Sequence, residues 1–226
     1  MAAEFLSFAL DVPGRGALDA ALLLPAGAAP RACFVFAHGA GAGMAHPFIE
    51  RLSQALAQRA IATLRFQFPF MQNGTRRPDP PAVAHAAIRC AVGEAARRLP
   101  GVPLLAGGKS FGGRMSSMAQ AGAPLPGVRG LVFVGFPLHP PRKPGTARAD
   151  HLRSVELPML FLQGTRDSLA QLPLVREVVV GLGQRATLHV VEGGDHSFDV
   201  PVRSGRTSGE VTAELADAVV RWSQVL

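Results

Sequence analysis

Residues 103–114 read Pro-Leu-Leu-Ala-Gly-Gly-Lys-Ser-Phe-Gly-Gly-Arg. The apolar residues 104–106 predict a buried strand, and residues 115–120 predict the start of a helix. Between them, residues 108–112 form a Gly-x-Ser-x-Gly pattern, which in this context is the nucleophile elbow. Its glycines allow strand and helix to approach each other closely. We therefore expect Ser110 Oγ to be exposed at the carboxyl end of a sheet, with the Phe111 N–H aimed at a developing oxyanion.

The pentapeptide alone is weak evidence, because a chain with 25 glycines can carry it by chance as a flexible turn. The strand before it and the helix after it strengthen the interpretation. Partner residues elsewhere in the chain are needed to decide it.

The length and composition bound the class of protein. With 226 residues, the chain fits one domain spanning residues 1–226. Hydrophobic residues make up 48% and charged residues 17%, which is typical of a globular protein. No run approaches the roughly 18 to 20 apolar residues that cross a bilayer. Since Glu4 stands where a signal peptide carries basic residues, we predict a cytoplasmic location.

The cysteines and the net charge point to no additional chemistry. Cys33 and Cys90 lie in apolar segments without metal-ligand spacing, so we expect both to be core residues and predict no metal site at them. The net charge of +7 comes almost wholly from arginines spread along the chain. No nucleic-acid motif accompanies them, so we predict no nucleic-acid partner. The oligomeric state is left open.

The order of segments predicts the fold class. Residues 5–10 and 17–24 predict an antiparallel hairpin. After it, strands alternate with helices, which indicates an α/β fold with a mostly parallel central sheet and helices on both faces. The predicted strands are 32–37, 61–66, 104–106, 130–135, 158–163 and 186–191; the predicted helices are 47–59, 82–99, 111–122, 147–154, 171–182 and 208–225. Residues 67–81 and 136–145 are predicted to be long, structureless loops.

Three polar residues follow three predicted parallel strands: Ser110, Asp167 and His196. The carboxyl ends of parallel strands meet at one edge of a sheet, where ligands bind. Ser110 would attack a carbonyl carbon, His196 would carry the proton, and Asp167 would orient the imidazole. Each residue also has an ordinary structural explanation. Asp167 could cap a helix, and His196 could be a loop histidine paired with its neighbour Asp195.

The glycine-rich turn after the strand 32–37 supplies the other half of a predicted oxyanion hole. A backbone N–H from residues 39–41, with Ala40 the preferred donor, would face the same point as the Phe111 N–H. The alternative is that these glycines only permit a tight turn. We expect His38 to make structural hydrogen bonds.

The two long loops carry the candidate substrate-binding residues Phe70, Met71 and His139, which suggest an apolar pocket. Basic residues in the same loops could recognise an anion or could be solvated surface charges: Arg76, Arg77, Arg142 and Lys143.

These segments together resemble the α/β-hydrolase superfamily, in particular its small, lidless, dienelactone-hydrolase-like members. The resemblance rests on residues 38–41, 108–114, 164–167 and 193–198, in family order. It implies the α/β-hydrolase fold without a cap domain, and a serine hydrolase that cleaves a small ester-like substrate without a cofactor. Dienelactone hydrolases carry cysteine where this chain has Ser110, which argues against that specific activity. The alternative function is a non-catalytic scaffold that binds a partner.

Overall fold

The computed structural model describes residues 3–27 and 29–226. Three residues lie outside the described part of the chain. Residues 1 and 2 belong to the N-terminal segment on which the cytoplasmic prediction rests, and residue 28 belongs to the link after the predicted hairpin. No helix in the described part of the chain is long and apolar enough to span a bilayer.

One eight-stranded mixed sheet forms the centre of the molecule, in the order β1-β2-β4-β3-β5-β6-β7-β8. β2 runs antiparallel to β1 and β4, and the remaining neighbours are parallel. The strands are β1 (Glu4–Val12), β2 (Gly16–Leu24), β3 (Ala32–Ala37), β4 (Ile61–Phe66), β5 (Leu104–Lys109), β6 (Val128–Val134), β7 (Met159–Gly164) and β8 (Ala186–Val191). The predicted fold class, with its antiparallel N-terminal hairpin, is confirmed.

Helices cover both faces of this sheet. They are α1 (Pro47–Ala57), α2 (Pro69–Gln72), α3 (Pro81–Arg98), α4 (Phe111–Gly122), α5 (Leu172–Leu182) and α6 (Ser208–Ser223). α1 and α6 pack over one hydrophobic core, and α3, α4 and α5 pack over the other. The central strands β3 to β7 are buried on both faces, as their nearly continuous apolar sequences predict. The carboxyl ends of these strands carry the candidate site.

The structure corrects three local predictions. The segment 67–81 is not structureless, because Pro69 begins the short helix α2 and Phe70 is buried in the core. β5 extends beyond residue 106 to Lys109, since it pairs with β3 on one side and β6 on the other. Residues 147–154 form a 3₁₀ helix, and several other ends move by one or two residues.

Candidate active site

The backbone at Ser110 has the strained geometry that the elbow motif requires. Ser110 lies between β5 and α4 with φ 49° and ψ −112°, a conformation that costs a non-glycine residue about 1–3 kcal/mol. A Cβ placed on Gly108 would lie 2.1 Å from the Ala37 carbonyl oxygen, and one on Gly112 would lie 2.4 Å from the same atom. Only glycine fits at both positions. The motif therefore brings β3, β5 and α4 together at the point where the serine is exposed.

Ser110, His196 and Asp167 form one continuous hydrogen-bonded chain. Ser110 Oγ lies 2.9 Å from His196 Nε2, and His196 Nδ1 lies 2.8 Å from Asp167 Oδ2. Asp167 follows β7 and His196 follows β8, so three separate segments meet at one edge of the sheet. The Asp167 side chain is 1% exposed, whereas that of His196 is 23% exposed, so the imidazole is the group that reaches toward solvent.

The surroundings of Asp167 keep it ionised and fix its orientation. The Leu169 N–H donates to Oδ1 and Gln163 Nε2 donates to Oδ2, each at 2.8 Å. Burial by itself raises the pKa of this carboxyl, but the hydrogen bonds from His196, Leu169 and Gln163 outweigh that effect and lower its pKa. An ionised Asp167 accepts the Nδ1–H of His196, which leaves Nε2 free to accept the Ser110 hydroxyl proton.

His38 connects the glycine-rich turn after β3 to the segment before α2. Its Nε2 accepts the Phe68 N–H at 2.9 Å, and its Nδ1 lies 2.7 Å from the Gly39 carbonyl oxygen. The ring is fully buried, and burial lowers its pKa to about 4. At neutral pH His38 is therefore uncharged, with its proton on Nδ1 donated to Gly39. This agrees with the structural role expected from the sequence.

A cavity of about 400 Å³ opens directly beside the Ser110 hydroxyl. Its walls combine small residues of the glycine-rich turn with apolar side chains of α1, and they include His46 at the start of that helix. The lining residues are Gly39, Ala40, Gly41, Ala42, His46, Phe48, Ile49, Lys109, Ser110, Leu169, His196 and Ser197. A volume of this size is in the range of small-molecule sites.

A second cavity of about 530 Å³ shares Ala40 and Gly41 with the first. Met71 and Arg76 also line it. Residues of the glycine-rich turn therefore line both cavities. A larger cavity of about 740 Å³, between the hairpin and α1, is lined by Phe5, Glu50 and Arg65 and lies away from the three relay residues.

The predicted substrate-binding residues occupy different places. Met71 lines the second cavity, whereas Phe70 is 3% exposed and packs against His38 and Phe111. His139 is also buried, with Nδ1 2.9 Å from the Pro140 carbonyl oxygen. Of these three residues, only Met71 lines a cavity, and that cavity shares Ala40 and Gly41 with the one beside the serine.

The predicted oxyanion donors flank the serine. Phe111 is the first residue of α4, and Ala40 lies in the cavity wall. Asp195, the alternative partner of His196, instead accepts the Ser197 and Asp199 N–H groups at 2.8 and 3.0 Å. It therefore shapes the loop that carries His196.

A second serine–histidine contact joins Ser117 of α4 to His151. Ser117 Oγ is 2.8 Å from His151 Nε2, but Ser117 is fully buried and also donates to the Arg114 carbonyl oxygen at 2.9 Å. Burial is the main cause that lowers the pKa of His151 to about 4. This pair ties α4 to the 3₁₀ helix and is structural in character.

Sequence reasoning missed Gln163 and His46. Gln163 is the last residue but one of β7 and donates to Asp167. The signal in the sequence was a polar residue near the end of an apolar strand. His46 caps α1, where its Nδ1 accepts the Phe48 N–H at 3.3 Å, and its signal was a polar residue directly before Pro47.

Among residues 3–27 and 29–226, no three His, Cys, Asp or Glu side chains are grouped to hold a metal ion.

Comparison with known families gives a match over most of the chain. A family model described as an alpha/beta hydrolase domain matches residues 30–224.

Solved structures with the same fold cover nearly the whole chain. XC6422 from Xanthomonas campestris, described as a serine hydrolase without a lid, superimposes with a TM-score of 0.77 at 23% identity, covering 98% of this chain and 96% of that one. A dienelactone hydrolase from Anabaena variabilis gives 0.75 at 19% identity, covering 97% and 96%. The esterase domain of a Rhodothermus marinus protein gives 0.73 at 17% identity, covering 97% and 98%. These likenesses establish the lidless fold.

Proposed function

Since the chain belongs to the alpha/beta hydrolase family, we propose that it is a serine hydrolase that cleaves a small carboxylic ester or a related acyl bond. The observation that carries this proposal is the relay of Ser110, His196 and Asp167, with contacts of 2.9 and 2.8 Å, at the mouth of a 400 Å³ cavity. This arrangement is suited to nucleophilic catalysis, because a weak hydroxyl nucleophile needs an adjacent, oriented base.

The reaction proceeds in two halves. Ser110 Oγ attacks the carbonyl carbon as His196 Nε2 accepts its proton, and the resulting imidazolium is stabilised by Asp167. The Phe111 and Ala40 N–H groups stabilise the oxyanion. His196 then donates its proton to the leaving alkoxide, which leaves an ester between the acyl group and Ser110. A water molecule, deprotonated by His196, attacks this ester, and the acid is released as Ser110 regains its proton.

The two cavities support a small ester as the substrate class. The 400 Å³ cavity is mainly apolar, with Phe48 and Ile49 in its wall, and suits a short hydrocarbon group. The second cavity is lined by Met71 and the exposed Arg76, so it suits a more polar part of the same ester. The solved neighbours include a protein described as an esterase domain, which supports the same class.

Steady-state hydrolysis of an ester panel tests the proposal. The panel varies the acyl length and the charge of the acyl and alcohol groups. The proteins are the wild type, Ser110→Ala and His196→Ala. We expect hydrolysis by the wild type and a fall in kcat of about 10⁴-fold or more in either variant. A variant with a near wild-type rate would remove that residue from the mechanism. A wild type inert toward every ester would favour the scaffold function instead.

A further inference from the structure

Lys109, the residue directly before the nucleophile, holds the main chain of the relay histidine. Its Nζ donates to the His196 carbonyl oxygen at 2.5 Å. The same nitrogen lies 5.6 Å from the centre of the Phe198 ring, two residues further along that loop. Lys109 therefore joins the end of β5 to the loop that follows β8.

The side chain lies between two glycines, and only the Gly135 side is too close for an added Cβ without a shift. A Cβ placed on Gly135, at the end of β6, would lie 3.0 Å from Lys109 Nζ and 3.6 Å from His196 Cε1. A Cβ placed on Gly39 would lie 3.6 Å from Lys109 Cγ. The lysine thus packs between the glycine-rich turn and the His196 loop.

The charge of Lys109 strengthens this contact. Burial lowers the pKa of its amine to about 8, while Asp167 and Asp195 favour the charged form. At neutral pH the amine is therefore still mostly protonated, and a charge-assisted hydrogen bond is about twice as strong as a neutral one. The acceptor is the carbonyl of His196 itself, so the bond acts directly on the backbone from which the imidazole projects.

We propose that Lys109 is a positioning residue: it fixes the His196 main chain and thereby holds the imidazole between Ser110 and Asp167. This inference rests on the proposed function, in which His196 is the base. The His196 loop needs such a restraint because it follows an edge strand and contains Phe198 at φ 65°, an unfavourable conformation for a bulky residue. Displacement of a catalytic group by about 1 Å can cost about 100-fold in rate.

Lys109→Met tests this role, because methionine has similar length and no donor. The matched control is Lys143→Met, which removes the other lysine of the chain. Lys143 is an exposed loop residue and lines neither of the two cavities that share the glycine-rich turn, so it is a solvated surface charge. We expect Lys109→Met to lower kcat by about 10- to 100-fold with KM unchanged within about twofold. The melting temperature of Lys109→Met checks that the fold survives the loss of the bond to the His196 carbonyl oxygen. Lys143→Met should match the wild type.

Chemical rescue separates the amine from general packing effects. Lys109→Cys treated with bromoethylamine regains an amine at nearly the original position, and we expect kcat to recover by at least about fivefold over the untreated variant. Cys33 is buried and burial raises its thiol pKa to about 12, so it is unreactive. Cys90→Ala in the same background removes the remaining thiol. Failure of the amine to restore any activity would contradict the role of Lys109.

An NMR measurement tests the inference without relying on hydrolysis. The proton on His196 Nδ1 is hydrogen-bonded to Asp167. In the wild type and in Lys143→Met it should give a resonance that is protected from exchange with water. It should broaden or disappear in Lys109→Met. An identical resonance in all three proteins, with kcat of Lys109→Met within about twofold of the wild type, would overturn the inference. If no ester is cleaved by the wild type, the proposed function fails while the resonance still decides whether Lys109 positions His196.

Discussion

Acidification should destabilise the fold through His38, the buried imidazole that links the glycine-rich turn to Phe68. Its pKa is lowered by burial from 6.5 to about 4. The unfolded chain therefore binds this proton at a higher pH than the folded chain does. Stability from the neutral imidazole is present near pH 7 and is lost as the pH falls from about 6.5 toward 4.

The size of the effect follows from the pKa difference. Each pKa unit corresponds to about 1.4 kcal/mol, so the loss attributable to His38 reaches about 3 kcal/mol by pH 4. That is a large part of the 5–15 kcal/mol typical of domain stability. Protonation of the ring would also cost the hydrogen bond that Nε2 accepts from the Phe68 N–H.

Urea unfolding of the wild type and of His38→Gln, each near pH 7 and near pH 4, measures this contribution. The glutamine variant loses the titrating group, and other ionisable groups cancel in the difference between the two proteins. We expect the stability advantage of the wild type to shrink by about 3 kcal/mol between the two pH values. If the variant does not fold, the wild-type His38 resonances in NMR give the pKa directly. An unchanged advantage, or a His38 pKa near 6.5, would refute the reasoning.

Three further predictions concern the site. Gly108→Ala should lower the free energy of unfolding by more than about 3 kcal/mol, because its Cβ would lie 2.1 Å from the Ala37 oxygen at φ 153°. As a control, Gly93→Ala at an exposed position of α3 should raise it by about 0.5–1 kcal/mol in the same unfolding assay. Gln163→Met should lower kcat about tenfold by removing a donor to the Asp167 carboxylate, and equal kinetics would exclude that role. Asp167→Asn should lower kcat by about 10⁴-fold by favouring the wrong imidazole tautomer, which steady-state kinetics would detect, and a loss below about tenfold would contradict it.

Much of the fold is readable from the sequence because the signals are local. Buried parallel strands such as Ala32–Ala37 are continuous apolar runs, and Pro47 and Pro81 mark helix starts. The tight turn at Ser110 requires glycines at fixed spacing, and these are visible in the sequence. Asp167 and His196 each come shortly after an apolar strand.

The supporting contacts were not predictable, since they depend on how distant loops meet. Gln163 reaches Asp167 only because the turn after β7 folds back on the strand. Lys109 reaches the His196 carbonyl oxygen past Gly135, where an added Cβ would lie 3.0 Å from Nζ. Phe70, predicted to contact substrate, is instead buried, because Pro69 begins a helical turn that directs the chain inward.

Fluorophosphonate labelling followed by mass spectrometry tests the central claim most directly. The reagent reacts with serine hydroxyls that an adjacent base activates. We predict one phosphonyl adduct on the wild-type peptide that contains Ser110, no adduct on Ser110→Ala, and much slower labelling of His196→Ala. A wild type that remains unlabelled, or an adduct that persists in Ser110→Ala, would contradict the assignment of Ser110 as the nucleophile.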